Sequence, residues 1–256
     1  MKNEKVLIEH PSLVICESLQ SEQIIWAQDI WLNCKALEIN TTNQGISYIS
    51  SFKNRGCYYP ETKNKFGQSL SKKVKNLDLK RIKFDLENNF NFKFTAWTML
   101  DNFVISCEHP RERFPFGWHE FNEDKNTPPN RAYLKLWEII TVHQIFPSKE
   151  ECVIELGASP GGWTWVMSQI CRKVYSIDRA PLDKKISEIK NIYHHEGDAF
   201  SIKPSEYLDC TWLFSDLICT PEKLYETVQH WIQNSHIKNF VCTIKFKGEC
   251  DFDIIK

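Results

Sequence analysis

The chain has 256 residues, a mass of 30.2 kDa and a formal net charge of −1, with 42% hydrophobic and 25% charged residues. This is ordinary globular usage and excludes wholesale disorder, collagen and a coiled coil. No run approaches roughly eighteen apolar residues, so no membrane-spanning helix is expected, and no long apolar stretch near the N-terminus marks a secretory leader.

Residues 1–110 mix short β-like runs at 12–16, 45–52 and 94–107 with helical patterns at 24–32 and 67–80. This predicts a small α+β domain over 1–126. Within it, residues 53–83 hold Lys53, Arg55, Lys63, Lys65, Lys72, Lys73, Lys75, Lys80, Arg81 and Lys83 against only Glu61 and Asp78, with Tyr58, Tyr59 and Phe66 interleaved. Basic residues with aromatics suit a phosphate backbone and unstacked bases; a solvated lysine-rich face gives the same pattern. Residues 108–129 carry four prolines and read as a connection. Thr127-Pro-Pro-Asn130 then predicts a helix start, with Leu134, Trp137, Ile140 and His143 at helical spacing.

From Glu151 the pattern changes. CVIEL, KVYSID, NIYHHE, TWLFSD and NFVCTIK are short strand-like runs, alternating with helical stretches at 163–171, 181–190 and 221–233. They predict βαβ units and a mostly parallel sheet over 127–256, in the α/β class. The loop after the first strand reads Glu155-Leu-Gly-Ala-Ser-Pro-Gly-Gly-Trp-Thr164. Gly157, Gly161 and Gly162 let backbone approach a ligand, but the spacing matches neither G-x-G-x-x-G nor a P-loop. A tight strand-to-helix turn would need the same glycines. Asp178, Asp198 and Asp216 close or follow later strands. One such acid is commonly a turn former; three at consecutive strand ends point to the edge where open α/β sheets bind ligands.

Ten cysteines lie scattered, with no C-x-x-C spacing. A zinc or iron–sulfur site is therefore not expected, and reduced thiols in a cytoplasmic protein are.

LGASPGGWT resembles motif I of the FtsJ-like ribose 2′-O-methyltransferases, which bind S-adenosylmethionine. Upstream, Asn130-Arg-Ala-Tyr-Leu-Lys135-Leu resembles the family's S-R-A-x-x-K-L helix. Downstream, Asp178-Arg-Ala-Pro-Leu, Gly197-Asp198 and Ser215-Asp216-Leu resemble its D-x-x-P-M, G-D and S-D-M segments, and Ile244-Lys245 the strand bearing its second lysine. DRAP, RAYLKL and TWLFSDLICTPEK point toward members that act on a cytidine ribose of large-subunit ribosomal RNA. The resemblance covers 127–253 and is weak over 1–126.

The resemblance implies a Rossmann-like, S-adenosylmethionine-dependent methyltransferase domain acting on RNA, large-subunit rRNA first among candidates, with no metal and no membrane partner. Lys135, Asp216 and Lys245 take the catalytic roles. Gly157, Ser159, Pro160, Gly161, Gly162, Trp163, Asp178, Asp198 and Asp216 hold the cofactor, with Asp178 toward its ribose and Asp198 toward its adenine. A 2′-OH is a poor nucleophile, and a lysine beside a second lysine loses its proton more readily, so it can serve as general base. Lys247 matches Lys245 in residue type, but Lys245 directly ends an apolar strand. The family's late glutamate would fall beyond Glu249, where the sequence stops at Lys256. The expectation is an incomplete sheet with strand five at 239–244 and an exposed edge, reduced turnover and self-association. A SAM- and RNA-binding module without turnover is the competing reading; Glu120 or Glu123 supplying the missing acid is another, and a methyltransferase for a different acceptor is the weakest.

Overall fold

The computed structural model describes residues 5–17, 27, 29–78, 80–87, 93–111, 114–117 and 120–246, without the side chains of residues 61 and 116. The chain divides into two compact units, Met1–Phe121 and Asn122–Lys256.

In the first unit, β1 (Val6–His10) and β2 (Leu13–Cys16) form an antiparallel hairpin. A four-stranded sheet follows, built from β3 (Lys35–Glu38), β4 (Arg55–Tyr58), β5 (Phe94–Leu100) and β6 (Phe103–Cys107) in the order β3-β6-β5-β4. Only β4 and β5 pair parallel. Helices α1 (Thr42–Ser50) and α2 (Lys65–Ser71) contribute Ile49 and Leu70 to a core with Ile39, Trp97, Met99 and Val104.

Three expectations fail in this unit. Of residues 45–52, expected as a strand, 45–50 are helical, because Thr41 caps the Gln44 N–H at 3.2 Å while the Gln44 side chain takes the Asn40 N–H at 3.0 Å. The helix expected over 67–80 ends at Ser71, where the Asn76 amide donates to the Ser71 carbonyl and Leu77 N–H turns to Gly56 O. Of the helix expected over 24–32, residues 24–26 and 28 lie outside the described residues. Residues 29–32 are not helical: Asp29 takes the Ile30 N–H and the Trp31 indole N–H, and Trp31 bridges Pro110. The run 94–107 is a hairpin whose turn holds Asp101 at φ 51°.

The second unit is a five-stranded parallel sheet flanked by helices. Its elements are α3 (Tyr133–His143), β7 (Cys152–Leu156), α4 (Gly162–Ile170), β8 (Lys173–Asp178), α5 (Lys184–Ser187), β9 (Ile192–Glu196), β10 (Cys210–Ser215), α6 (Pro221–Asn234) and β11 (Asn239–Cys242). The order is β11-β10-β7-β8-β9. Direction of winding therefore reverses beside β7, the switch point at which such sheets open a crevice. Every residue of β7 is buried, as a central strand covered on both faces requires. Leu156 is in register with Ile177 and Ser215, and Ser215 with Cys242, so the strand ends line up along one edge.

Two helices are shorter than expected. α5 holds four residues behind its Asp183 cap. α3 starts at Tyr133 because the Asn130 side chain takes the Ala132 N–H at 3.0 Å, one turn later than Thr127-Pro-Pro-Asn130 implied. Its buried face is Tyr133, Leu136, Trp137, Ile140 and Thr141, and His143 is exposed.

Candidate active site

The residue after each strand sets the site. Asp216 follows β10, and its carboxylate accepts hydrogen bonds from Lys135 Nζ at 3.0 and 2.8 Å and from the Thr243 hydroxyl at 2.5 Å. Lys245 Nζ lies 3.1 Å from the same carboxylate and donates to the Asp216 carbonyl at 2.6 Å. Three elements thus converge: α3 brings Lys135, the end of β10 brings Asp216, and the chain after β11 brings Thr243 and Lys245. Asp216 is 16% exposed and Lys245 27%. Burial works against charge on Asp216, but the bonds from Lys135, Thr243 and Lys245 outweigh it and hold the carboxyl below its ordinary range. Two ammonium groups share one carboxylate, which leaves the cluster with surplus positive charge.

The loop after β7 is tied to β8. Gly157 and Ala158 donate to the Ile177 carbonyl, at 2.8 and 3.1 Å, and Ser159 N–H donates to Asp178 at 3.0 Å. Asp178 also takes the Ala180 N–H, and the Ser159 hydroxyl reaches the Pro181 carbonyl. Gly157 (φ 82°) and Gly161 (φ 113°) sit in backbone that side chains disfavour; a Cβ on Gly161 would lie 2.9 Å from Ile186. A Cβ on Gly162 would overlap the Asn130 side chain.

A cavity of about 200 Å³ lies along this edge, lined by Gly157, Asp178, Arg179, Asp198, Ala199, Phe200, Leu217 and Ile218. A larger hollow of about 420 Å³, lined by Glu123 to Tyr133 residues, contains none of the strand-end acids. Asp198 faces the smaller cavity in an ion pair with Arg179 at 2.8 Å, which holds its carboxyl below the ordinary range. It also takes the Phe200 N–H at 3.1 Å.

Gly157, Asp178 and Asp198 are thus brought to one cavity, and Lys135, Asp216 and Lys245 into one cluster, with Leu217 and Ile218 running from Asp216 to the cavity wall. Ser159, Pro160, Gly161 and Gly162 shape the loop. The Trp163 side chain is spent elsewhere: it is buried, its indole N–H donates to Ala132 O at 2.9 Å, and its ring meets Phe214 edge-on. Glu123 pairs with Arg131 and Glu120 with Arg81. Lys247 and Glu249 lie outside the described residues.

Two residues that the sequence pattern did not single out belong here. Thr243 stands two positions before Lys245 in the chain after β11, and both reach Asp216. Glu155 is buried in β7 and hydrogen-bonded by the Thr164 hydroxyl at 2.5 Å. Burial pushes its carboxyl up to about 8, against the Thr164 bond and helped by the charges of Asp216 and Asp178. A glutamate inside an otherwise apolar central strand was the available signal.

Residues 128–246 match the family model of the FtsJ-like methyltransferases. This segment is therefore similar to the FtsJ-like methyltransferases. Its curated relatives include the ribosomal RNA large subunit methyltransferase M of Halorhodospira halophila, 30% identical over 141 residues, covering 53% of this chain and 40% of that protein. The protein of the same name from Xanthomonas oryzae pv. oryzae is 31% identical over 124 residues, covering 46% and 35%. The matches to these relatives therefore span less than half of their length. A solved ribosomal RNA methyltransferase from Plasmodium falciparum is 17% identical, with a TM-score of 0.37 over 46% of this chain and 79% of that one, and no inference rests on it. The family match begins at residue 128 and the second compact unit at Asn122, where the sequence pattern set a boundary at 127.

Proposed function

We propose that the second unit transfers a methyl group from S-adenosylmethionine to a ribose 2′-OH of RNA, with large-subunit ribosomal RNA the substrate that its named relatives indicate. The observation that carries the reading is the convergence of Lys135 and Lys245 on Asp216 beside a glycine-walled cavity at the switch point.

The residues present fit the cofactor. Backbone at Gly157 leaves no room for a Cβ, which would lie 2.8 Å from Leu217, and acids from two successive strand ends line the cavity it borders. Asp178 would take the ribose hydroxyls and Asp198 the adenine edge, with Leu217 and Ile218 as apolar wall. When bound, the cofactor supplies an electrophilic sulfonium methyl group. The chain's own work is to seat and activate the acceptor oxygen. Once its ammonium has given up a proton to solvent, Lys245 receives the 2′-OH proton, Asp216 and Thr243 fix the direction of its amine, and Lys135 places a positive charge against the oxygen as it becomes anionic. Oriented placement of both reactants in one crevice contributes much of the rate.

The basic stretch over 53–83 would hold the RNA backbone. All ten of its basic residues are exposed, and Arg81 and Lys80 are paired with Glu120 and Asp78. The deciding experiment incubates the protein with labelled S-adenosylmethionine and rRNA, then maps 2′-O-methyl positions. One discrete modified ribose supports the reading. Cofactor and RNA binding without transfer would establish a binding module, and label on a base would overturn the ribose assignment.

A further inference from the structure

The first unit holds a pair of cysteines outside the candidate site. β3 and β6 run antiparallel with Lys35 opposite Ser106, Ala36 opposite Ile105 and Glu38 opposite Phe103. The same register sets Trp31 opposite Pro110. Cys34 therefore stands opposite Cys107. Asn33, at φ 54°, interrupts the strand between these two stretches, and the Arg111 N–H to Ile30 O bond at 3.0 Å has the opposite phase to the Ile39 N–H to Asn102 O bond at 2.7 Å. Residues directly opposite one another in antiparallel strands hold their Cα atoms about 4.5 to 5.5 Å apart, within the roughly 4.4–6.8 Å that a disulfide spans.

The side chains agree with the backbone. The two thiols are close enough to perturb one another's titration, Cys34 Sγ reaches Trp31 O at 3.3 Å, and Cys107 Sγ reaches Leu32 O at 3.2 Å. Cys34 is exposed and Cys107 buried, so one sulfur meets solutes and the other waits behind it. Contact with the Cys34 thiol, aided by backbone bonds from His109 and Leu32 and opposed by burial, holds the Cys107 thiol down at about 7; the same contact pushes the Cys34 thiol up. Cys57, Cys152, Cys171 and Cys210, also buried, have thiols pushed up by burial.

We propose that Cys34 and Cys107 are a reversible dithiol site that a small-molecule disulfide such as oxidised glutathione converts to an intramolecular disulfide. A thiolate of the pair displaces one glutathione thiol and forms a mixed disulfide. The second protein thiolate then attacks the first protein sulfur, closes the Cys34–Cys107 bond and releases the second glutathione thiol. Two protein thiols are oxidised, one glutathione disulfide is reduced, and both protons leave with the glutathione. The bond closes a loop over residues 35–106, which contains every basic residue of the 53–83 stretch.

The test treats the folded full-length protein with oxidised glutathione, blocks free thiols and maps peptides without reduction. The expected first product links Cys34 to Cys107, retains no glutathione, and reverts with a dithiol reductant. Cys34→Ser, a change at an exposed position, should form no link and leave Cys107 free, with an unchanged circular dichroism spectrum. A lasting glutathione adduct on Cys34, a first link between any other cysteines, or no reaction of the pair would each overturn the proposal.

Discussion

Glu155 offers the sharpest physical test of the second unit. It sits wholly buried in the central strand with a carboxyl pushed up to about 8 from an ordinary 4.5. Between those two pH values the native carboxyl is protonated while the unfolded one is ionised, so folding takes up a proton. Stability is then fully present below about 4.5 and falls as pH rises toward 8, by about 1.4 kcal/mol per pH unit where both conditions hold. Glu155→Gln keeps the shape and the acceptor for the Thr164 hydroxyl but carries no titrating proton. From pH 5.5 to 7.5 the wild type should lose roughly 3 kcal/mol relative to this variant, two units of that slope. Urea unfolding of both proteins at pH 5.5, 6.5 and 7.5 measures the difference directly, since every other titrating group is common to the two. Parallel stability curves would show that Glu155 is ionised in the native state, and the reasoning from burial would be wrong.

Four other outcomes follow from the geometry. Lys135→Met and Lys245→Met should each lower methyl transfer by about a hundredfold or more while calorimetry shows cofactor binding kept; transfer at the wild-type rate in either would remove that lysine from the mechanism. Gly161→Val places a β-branched side chain at φ 113° against Ile186, and cofactor affinity should drop by an order of about tenfold or more; unchanged affinity would mean the loop is a turn only. Arg179→Ala frees the Asp198 carboxylate from a largely exposed ion pair, so cofactor affinity should rise modestly, within about fivefold; a fall would make Arg179 itself a ligand. Replacing Lys72, Lys73 and Lys75 with Glu should weaken RNA binding and flatten its salt dependence, which runs at about 0.7 to 0.9 log units per phosphate contact; RNA affinity equal to wild type would make the stretch a solvated face.

The parallel sheet was legible because its strands carry the constraint locally. CVIEL and TWLFSD are buried on both faces and read as continuous apolar runs, and each ends in a residue that the chain must place at the ligand edge. The first unit was harder. Its run 45–52 has β-branched and aromatic residues at strand-like density, and the decisive signal, Thr41 with Gln44 three positions on, is a helix cap lying just upstream. The helix at 67–80 failed for a long-range reason: a parallel bridge between Gly56 and Asn76 outcompetes continued helix, and no local window contains both. Trp163 shows that a motif gives positions without directions: its backbone lies at the start of α4 beside the loop, while its ring turns into the core.

The same distinction separates two acids near the switch point. Glu155 lies in β7 and Asp216 just after the neighbouring β10, and each accepts a threonine hydroxyl at 2.5 Å. Asp216 additionally meets two ammonium groups, so its charge is held; Glu155 meets no cation among its bonded partners, and the charge on Asp216 pushes it further toward the neutral form. The consequence is a graded edge. Negative charge sits at Asp178 and Asp198, where a cationic methyl donor would lie. Surplus positive charge sits at Lys135 and Lys245, where an oxygen would become anionic. A neutral carboxyl lies buried between them. If Glu155 were ionised, its field would oppose the one that the two lysines set up for that oxygen. A strand-end glutamate held without its charge would therefore preserve the polarity that the proposed methyl transfer to a hydroxyl requires, and the pH dependence of Glu155 and the activity of the lysine variants test one electrostatic arrangement from its two ends.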